Sequence, residues 1–98
     1  MRGSTTGRPI MVLFDILGQR WSLRILWELR EERLTFRSLQ SQCGDVSPTV
    51  LNTRLKDLRE LALVDHDGQG YGLTSWGQEL GAHLLQLSGW AEKWRGAQ

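Results

Sequence analysis

Four polar residues, Thr49, Asn52, Thr53 and Lys56, are spaced so that they share one side of a helix over residues 48–62. The other side is apolar and carries Leu51, Leu55, Leu58 and Ala62. Exposed helix faces usually favour Glu and Lys, because Thr and Asn are weaker helix formers. Asn can pair with adenine through two hydrogen bonds, and a Thr methyl can contact the thymine methyl. The pattern favours a helix that reads base edges in a DNA groove, with an ordinary capped surface helix as the alternative.

The start of this segment suits the same chemistry. Ser47 is a good N-cap, and Pro48 suits the first helical position. Backbone N–H groups at such a helix start can bind a phosphate. Lys56, further along the helix, is placed for a phosphate or a guanine. We therefore count Ser47 among the candidate DNA-binding residues.

Arginines near the segment are candidates for phosphate contacts. We expect Arg37, Arg54 and also Arg59 to contact phosphates or to fix the helix. Arg54 lies near the apolar edge of the helix, so an ion pair with Asp57 or Glu60 is an open alternative for it.

The run of Asp65, His66 and Asp67 raises the question of a metal site. On a strand the two carboxylates point one way and the imidazole the other. Structural zinc sites take four ligands, so we favour a solvated hairpin and predict no metal site. His83 is expected at a surface or an interface. The sequence contains no nucleophile motif, phosphate loop or paired-carboxylate pattern, and we predict neither an enzyme nor a bound cofactor.

The composition is that of one globular domain. The chain has 98 residues, 40% of them hydrophobic, and a net charge of +1, which neither requires nor excludes a nucleic-acid partner. The single cysteine, Cys43, rules out an internal disulfide and is expected to be a buried, inert thiol. The longest apolar run is too short to span a membrane. We expect a cytoplasmic protein without membrane contact.

Periodicity, caps and turn residues predict a mainly α fold with a small β-hairpin. We expect residues 1–8 to form a flexible lead and residues 9–98 to form one domain. The predicted elements are helices at 9–18, 22–32, 36–43, 48–62 and 75–95, a short strand at 34–36, and a hairpin at 63–73. A helix pair followed by a hairpin is the layout of a winged helix-turn-helix.

Three motifs now connect the chain to a family: G-x-R-W at 18–21, S-P-x-V-L-x-x-R-L-K-x-L at 47–58 and Y-x-L-T-x-x-G at 71–77. Over about residues 12–94 the chain resembles the HxlR-type winged helix-turn-helix regulators, relatives of the MarR group. The resemblance implies a bacterial or archaeal transcription factor that binds double-stranded DNA as a homodimer. It also implies that residues 47–56 carry the recognition helix.

Two features depart from that family. Many members carry a cysteine just before the first helix, and some sense oxidants through it, whereas this chain has TTGRPIM there. Thiol sensing by that route is therefore not expected. The wing is also acidic: from Glu60 to Glu79 there are four acidic residues and no Lys or Arg. With no compensating cation in that stretch, we expect the wing not to grip DNA and its carboxylates to repel phosphates.

The last helix carries an apolar stripe with the 4-3-4-3 spacing of a coiled-coil seam. Its members are Leu80, Leu84, Leu87, Ala91 and Trp94. We predict a dimer interface along this seam, to which the first helix contributes Ile10, Leu13 and Phe14. Packing of the stripe on the first two helices of the same chain is the alternative.

The sequence thus predicts a dimeric transcriptional regulator that binds a pseudo-palindromic operator. One alternative is a winged helix that serves dimerisation or protein interaction and has weak or lost DNA binding, since a fold alone does not decide function. Another is that a small-molecule effector binds between the dimerisation helices, in a pocket lined by Trp27, Trp76 and Trp90.

Overall fold

The structure, a computed structural model, describes residues 8–98. Most of the expected flexible lead at 1–8 therefore lies outside the described residues. The elements follow in this order: α1 (Pro9–Leu17), α2 (Ser22–Glu28), α3 (Phe36–Gln42), α4 (Pro48–Glu60), β1 (Val64–Asp67), β2 (Gly70–Leu73) and α5 (Ser75–Gly96). The predicted fold class, mainly α with a small antiparallel hairpin in a winged helix-turn-helix order, is confirmed.

Side-chain caps fix three of the helix starts. The hydroxyl oxygen of Ser47 accepts a hydrogen bond from the Val50 amide at 3.1 Å, and that of Thr74 accepts one from the Gly77 amide at 3.1 Å. Thr35 caps α3 in the same way. These bonds satisfy amides that lack a partner within the helix. The N-cap expected at Ser47 is confirmed.

The second helix is shorter than expected, ending at Glu28 instead of near Glu32. Arg30 turns back over the end of the helix. Its guanidinium lies 3.9 Å from the centre of the Trp27 ring and donates to the Trp27 carbonyl oxygen at 3.0 Å. The Arg30 amide also donates to the Trp27 carbonyl oxygen, at 3.3 Å, so the helix ends in a tighter turn that steps back three residues instead of four.

The prediction of a short strand at 34–36 is also wrong in its length. Leu34 alone forms an isolated antiparallel bridge, with Tyr71 of β2. Thr35 is already the N-cap of α3, and Phe36 is its first residue. The chain therefore pairs with the hairpin at one residue only.

The hydrophobic core joins the helices to the base of the hairpin. Its fully buried members are Ile16, Ile25, Leu26, Leu39, Leu51, Leu55 and Leu58. Ala62, predicted in the same stripe as Leu51, is exposed because α4 ends at Glu60 and Ala62 turns away with a φ of 60°. Across residues 8–98, none of the helices has both the length and the apolar character needed to cross a membrane.

Candidate DNA-binding surface

The orientation of α4 is set by its leucines. Leu51 and Leu58 are fully buried, and Leu55 is 1% exposed. The opposite side of the helix must therefore face solvent, as the 100° step of a helix requires. The exposed residues there are the ones predicted from the sequence, Thr49, Asn52, Thr53 and Lys56. The structure thus brings the four candidate groove-facing side chains together on one free surface.

The turn between α3 and α4 holds the start of this surface in place. Gly44 and Asp45 both have a positive φ, 81° and 65°, which reverses the chain sharply. Gln40 of α3 donates from Nε2 to the Val46 carbonyl oxygen at 2.9 Å, so its side chain ties α3 to the residue before the Ser47 cap. The turn and this bond join α3 and α4 as a helix-turn-helix pair.

Within the exposed face, Thr53 bonds to its own helix. Its hydroxyl donates to the Thr49 carbonyl oxygen at 3.0 Å. This bond occupies the hydroxyl proton and orients the methyl group. Thr53 can therefore offer a methyl contact and a hydroxyl acceptor, while Asn52 offers both donor and acceptor groups.

Arg54 is placed differently from the other candidates. Its side chain is 18% exposed, donates from Nε to the Arg20 carbonyl oxygen at 2.9 Å, and lies 3.7 Å from Asp57 Oδ2. The ion pair with Asp57, the alternative left open by the sequence, is present. Arg37 on α3 and Arg59 on α4 are exposed, as phosphate contacts require.

The acidic wing has a cation that the sequence pattern did not reveal. Arg33 contacts Asp65 Oδ1 at 2.5 Å through Nη2 and Asp67 Oδ1 at 3.1 Å through Nε. The expectation of uncompensated wing carboxylates is therefore wrong. Arg33 stands 32 and 34 residues before its partners, and only the fold brings them together. A charge count over a window of sequence cannot detect such a pair.

The wing charges perturb one another. The neighbouring Asp65 raises the pKa of Arg33. The pKa of Asp67 is lowered, first by the hydrogen bond from the Gln69 amide (2.8 Å) and then by Arg33. Both shifts favour the charged forms. On the other face of the hairpin, His66 packs on its cross-strand neighbour Tyr71, with ring centres 4.4 Å apart.

The described residues offer no cluster of three or more His, Cys, Asp or Glu side chains that could hold a metal ion. Cys43 is 1% exposed, as predicted, and burial raises the pKa of its thiol. A buried thiol with a raised pKa carries little of the reactive thiolate at neutral pH.

A second surface, on α1 and α5, is strongly apolar. Phe14 and Leu87 are 55% and 54% exposed, and Trp94 is 49% exposed. Ile10 is also exposed. Of the other predicted interface residues, Leu13, Leu80 and Leu84 are partly buried against the core, and Ala91 is partly buried. Trp90 is not among the predicted interface residues, but it is 56% exposed and stacks on Trp94 with ring centres 5.9 Å apart.

A shallow apolar groove runs beside this surface between α2 and α5. It is lined by Leu23, Trp27, Leu84, Leu87, Ser88 and Ala91. Of the three tryptophans expected around an effector, only Trp27 belongs to this groove. Trp76 and Trp90 are largely exposed on α5, so the three do not line one pocket within a single chain.

The fold and the exposed face of α4 together define a winged helix-turn-helix protein of the DNA-binding class. The model of the HxlR-like helix-turn-helix family matches residues 16–98, and the chain belongs to that family. It is therefore a DNA-binding transcriptional regulator of the HxlR type.

Relatives agree with this assignment. The chain is 32% identical over 93 residues to an uncharacterized HTH-type transcriptional regulator of Methanocaldococcus jannaschii, covering 90% of this chain and 87% of the relative. It is similar to the crystal structure of quinone-bound YodB from Bacillus subtilis, with a TM-score of 0.79, 27% identity, and coverage of 86% and 96%. A possible HxlR family transcriptional factor from Thermoplasma volcanium gives a TM-score of 0.78 at 25% identity, covering 90% of this chain and 85% of that one.

Proposed function

We propose that the protein binds a pseudo-palindromic operator as a homodimer and reads it with the exposed face of α4. The observation that carries the proposal is the pairing of a fully buried leucine stripe with an exposed face of Thr49, Asn52 and Lys56. That face has the donors, acceptors and methyl groups that base edges in a major groove recognise. We further propose that residues 9–98 act as one domain in the cytoplasm, where the DNA of bacteria and archaea lies.

Phosphate contacts come from the borders of this face. Arg37 and Arg59 are exposed on α3 and α4, and the capped start of α4 presents backbone amides after Ser47. Contacts of this kind set the register of a protein on DNA without reading its sequence. Arg54 contributes indirectly, because its contacts to Arg20 and Asp57 hold α4 in place.

The homodimer is supported by the apolar surface of α1 and α5. Phe14, Leu87, Trp90 and Trp94 are each about half exposed, and large exposed apolar surfaces mark interaction sites. A second copy is a suitable partner because a two-fold axis makes the same patch meet itself. Two copies would present two α4 helices, so the operator is expected to have two similar half-sites about one DNA turn apart.

A selection from random-sequence duplex DNA tests the proposal. The wild-type protein should enrich a two-fold symmetric sequence. Lys56→Glu should abolish the enrichment by placing a negative charge in the groove. Lys93→Glu, the same change on an exposed position of α5, is the matched control and should retain it. No enriched sequence with wild-type protein that is still dimeric would contradict the proposal and favour an interaction module without DNA readout.

A further inference from the structure

We propose that Arg33 is a positioning residue for the wing, locking the hairpin to the helix-turn-helix so that it can lie beside the DNA backbone. The inference rests on the proposed DNA-binding function. It concerns a residue that lies outside both the recognition helix and the hairpin.

The guanidinium of Arg33 joins both strands of the hairpin. Nη2 donates to Asp65 Oδ1 at 2.5 Å and to the Gly70 carbonyl oxygen at 3.0 Å, and Nε donates to Asp67 Oδ1 at 3.1 Å. Asp65 and Asp67 belong to β1, whereas Gly70 begins β2. One side chain therefore bridges the strands at three points.

The space over the hairpin fits this side chain. Gly72 is the cross-strand neighbour of Asp65, and any Cβ at position 72 would overlap the guanidinium of Arg33. A glycine here leaves room for Arg33 to lie flat on the strand. The strand and the arginine are complementary in shape as well as in charge.

The backbone next to Arg33 also holds the hairpin. We call these backbone bonds and the side-chain bonds of Arg33 together the lock. Leu34 and Tyr71 exchange two hydrogen bonds, Leu34 N–H to Tyr71 O at 2.9 Å and Tyr71 N–H to Leu34 O at 2.8 Å. The following residue, Thr35, is the N-cap of α3. Segment 33–35 therefore links the wing directly to the first helix of the helix-turn-helix pair.

The positive charge of Arg33 also bears on DNA binding, because it lies beside the two carboxylates of the hairpin. Without Arg33 the hairpin would present two carboxylates, which oppose binding to a polyanion. Arg33 cancels one of these two charges. An arginine suits this position better than a lysine, because its planar fork can donate to several acceptors in fixed directions.

Arg33→Lys tests the lock, because it keeps the positive charge but removes the planar guanidinium that donates to Asp65, Asp67 and Gly70 at the same time. Amide hydrogen exchange at Leu34 and Tyr71 should become about tenfold faster, as local opening of the hairpin becomes easier. Arg33→Gln, which removes the charge as well, should lower the affinity for a random-sequence duplex at low salt about threefold or more. Protection of the α4 amides should stay at the wild-type level, which shows that the variant is folded.

Arg24→Lys is the matched control. Arg24 also makes an ion pair, with Glu28 at 2.7 Å, and donates to the Gln42 carbonyl oxygen at 2.8 Å, but it does not touch the hairpin. Its substitution should leave hairpin exchange unchanged.

Three results separate the possibilities. Unchanged hairpin exchange in Arg33→Lys would overturn the lock. Unchanged DNA affinity in Arg33→Gln would overturn the role of Arg33 in DNA binding. If the wild-type protein bound no duplex even at low salt, the proposed function would fail along with any role of Arg33 in it, while the exchange measurement would still decide whether the lock exists.

Discussion

Arg54 in the middle of α4 donates from Nε to the carbonyl oxygen of Arg20, 34 residues earlier, at 2.9 Å. Arg20 precedes Trp21, which occupies the N-cap position of α2 and has a positive φ of 79°. The bond therefore ties α4 to a sharp turn between α1 and α2. The same guanidinium lies 3.7 Å from Asp57, whose side chain is 6% exposed. The helix that carries the candidate base-reading face is thus fixed from behind by a conformationally restricted turn.

Substituting Arg54 should destabilise the fold. Arg54→Gln removes the charge near the buried Asp57 and the bond to Arg20, and we expect a loss of about 2–4 kcal/mol in the free energy of unfolding. Urea unfolding measures the change. Arg59→Gln, on the exposed side of the same helix, is the control and should stay within about 0.5 kcal/mol of wild type. Equal effects at the two positions would show that Arg54 does not fix α4.

The apolar surface of α5 predicts a dimer that one charge can disrupt. Leu87→Glu places a carboxylate in the centre of this surface and should yield monomers in sedimentation experiments. Gln86→Glu, one residue away and exposed, is the matched control and should leave the dimer intact. A dimer of unchanged mass in Leu87→Glu would exclude this surface as the interface.

The lowered pKa of Asp67 makes the stability of the wing depend on pH in the acidic range. The folded state favours the charged carboxylate of Asp67. Its contribution to the stability of the fold is therefore fully present at pH values above 3.8, the ordinary pKa of the group, and is lost as the pH falls through the lowered pKa of the folded protein. The Gln69 amide, which donates to Asp67, should report this titration by NMR with a midpoint below 3.8. Arg33→Gln should raise the midpoint. A wild-type midpoint at or above 3.8 would contradict the contacts described for Asp67.

Cys43 should react slowly while the protein is folded. The thiol is buried and its pKa is raised, so both access and the thiolate fraction are reduced. We expect a thiol reagent at pH 8 to label the folded protein about a hundredfold more slowly than the urea-unfolded chain. Equal rates would show that Cys43 is available for redox chemistry after all.

Local patterns in the sequence were sufficient to predict most of the fold. Ser47 with Pro48 located the start of α4, and the spacing of Leu51, Leu55 and Leu58 set its buried side, because caps and periodicity act within a few residues. The end of α2 is not predictable in this way, because the helix closes in a tighter turn at Trp27 and Arg30, where the Arg30 side chain also bonds to the Trp27 carbonyl oxygen. Patterns of apolar residues carry no information on such a contact.

For the candidate site, too, the sequence predicts what lies within one element and not the contacts between distant residues. The face of Thr49, Asn52 and Lys56 follows from helical spacing within one element. The partners of Arg33 and the contact of Arg54 with Arg20 join residues 32 to 34 positions apart. Contacts of that range depend on how the elements pack, so the net charge of the wing surface does not follow from the residues of the hairpin alone.

The most direct test of the central claim is the ratio of affinities for the selected operator and for random duplex DNA, measured for wild type and for Asn52→Ala. If α4 reads bases, the substitution should weaken operator binding by about 1–3 kcal/mol and leave random-DNA binding nearly unchanged. Gln86→Ala is the matched control, because it removes an exposed amide side chain from α5 instead of α4, and it should change neither affinity. Equal losses on both kinds of DNA, or no loss on either, would contradict base readout by this face of α4.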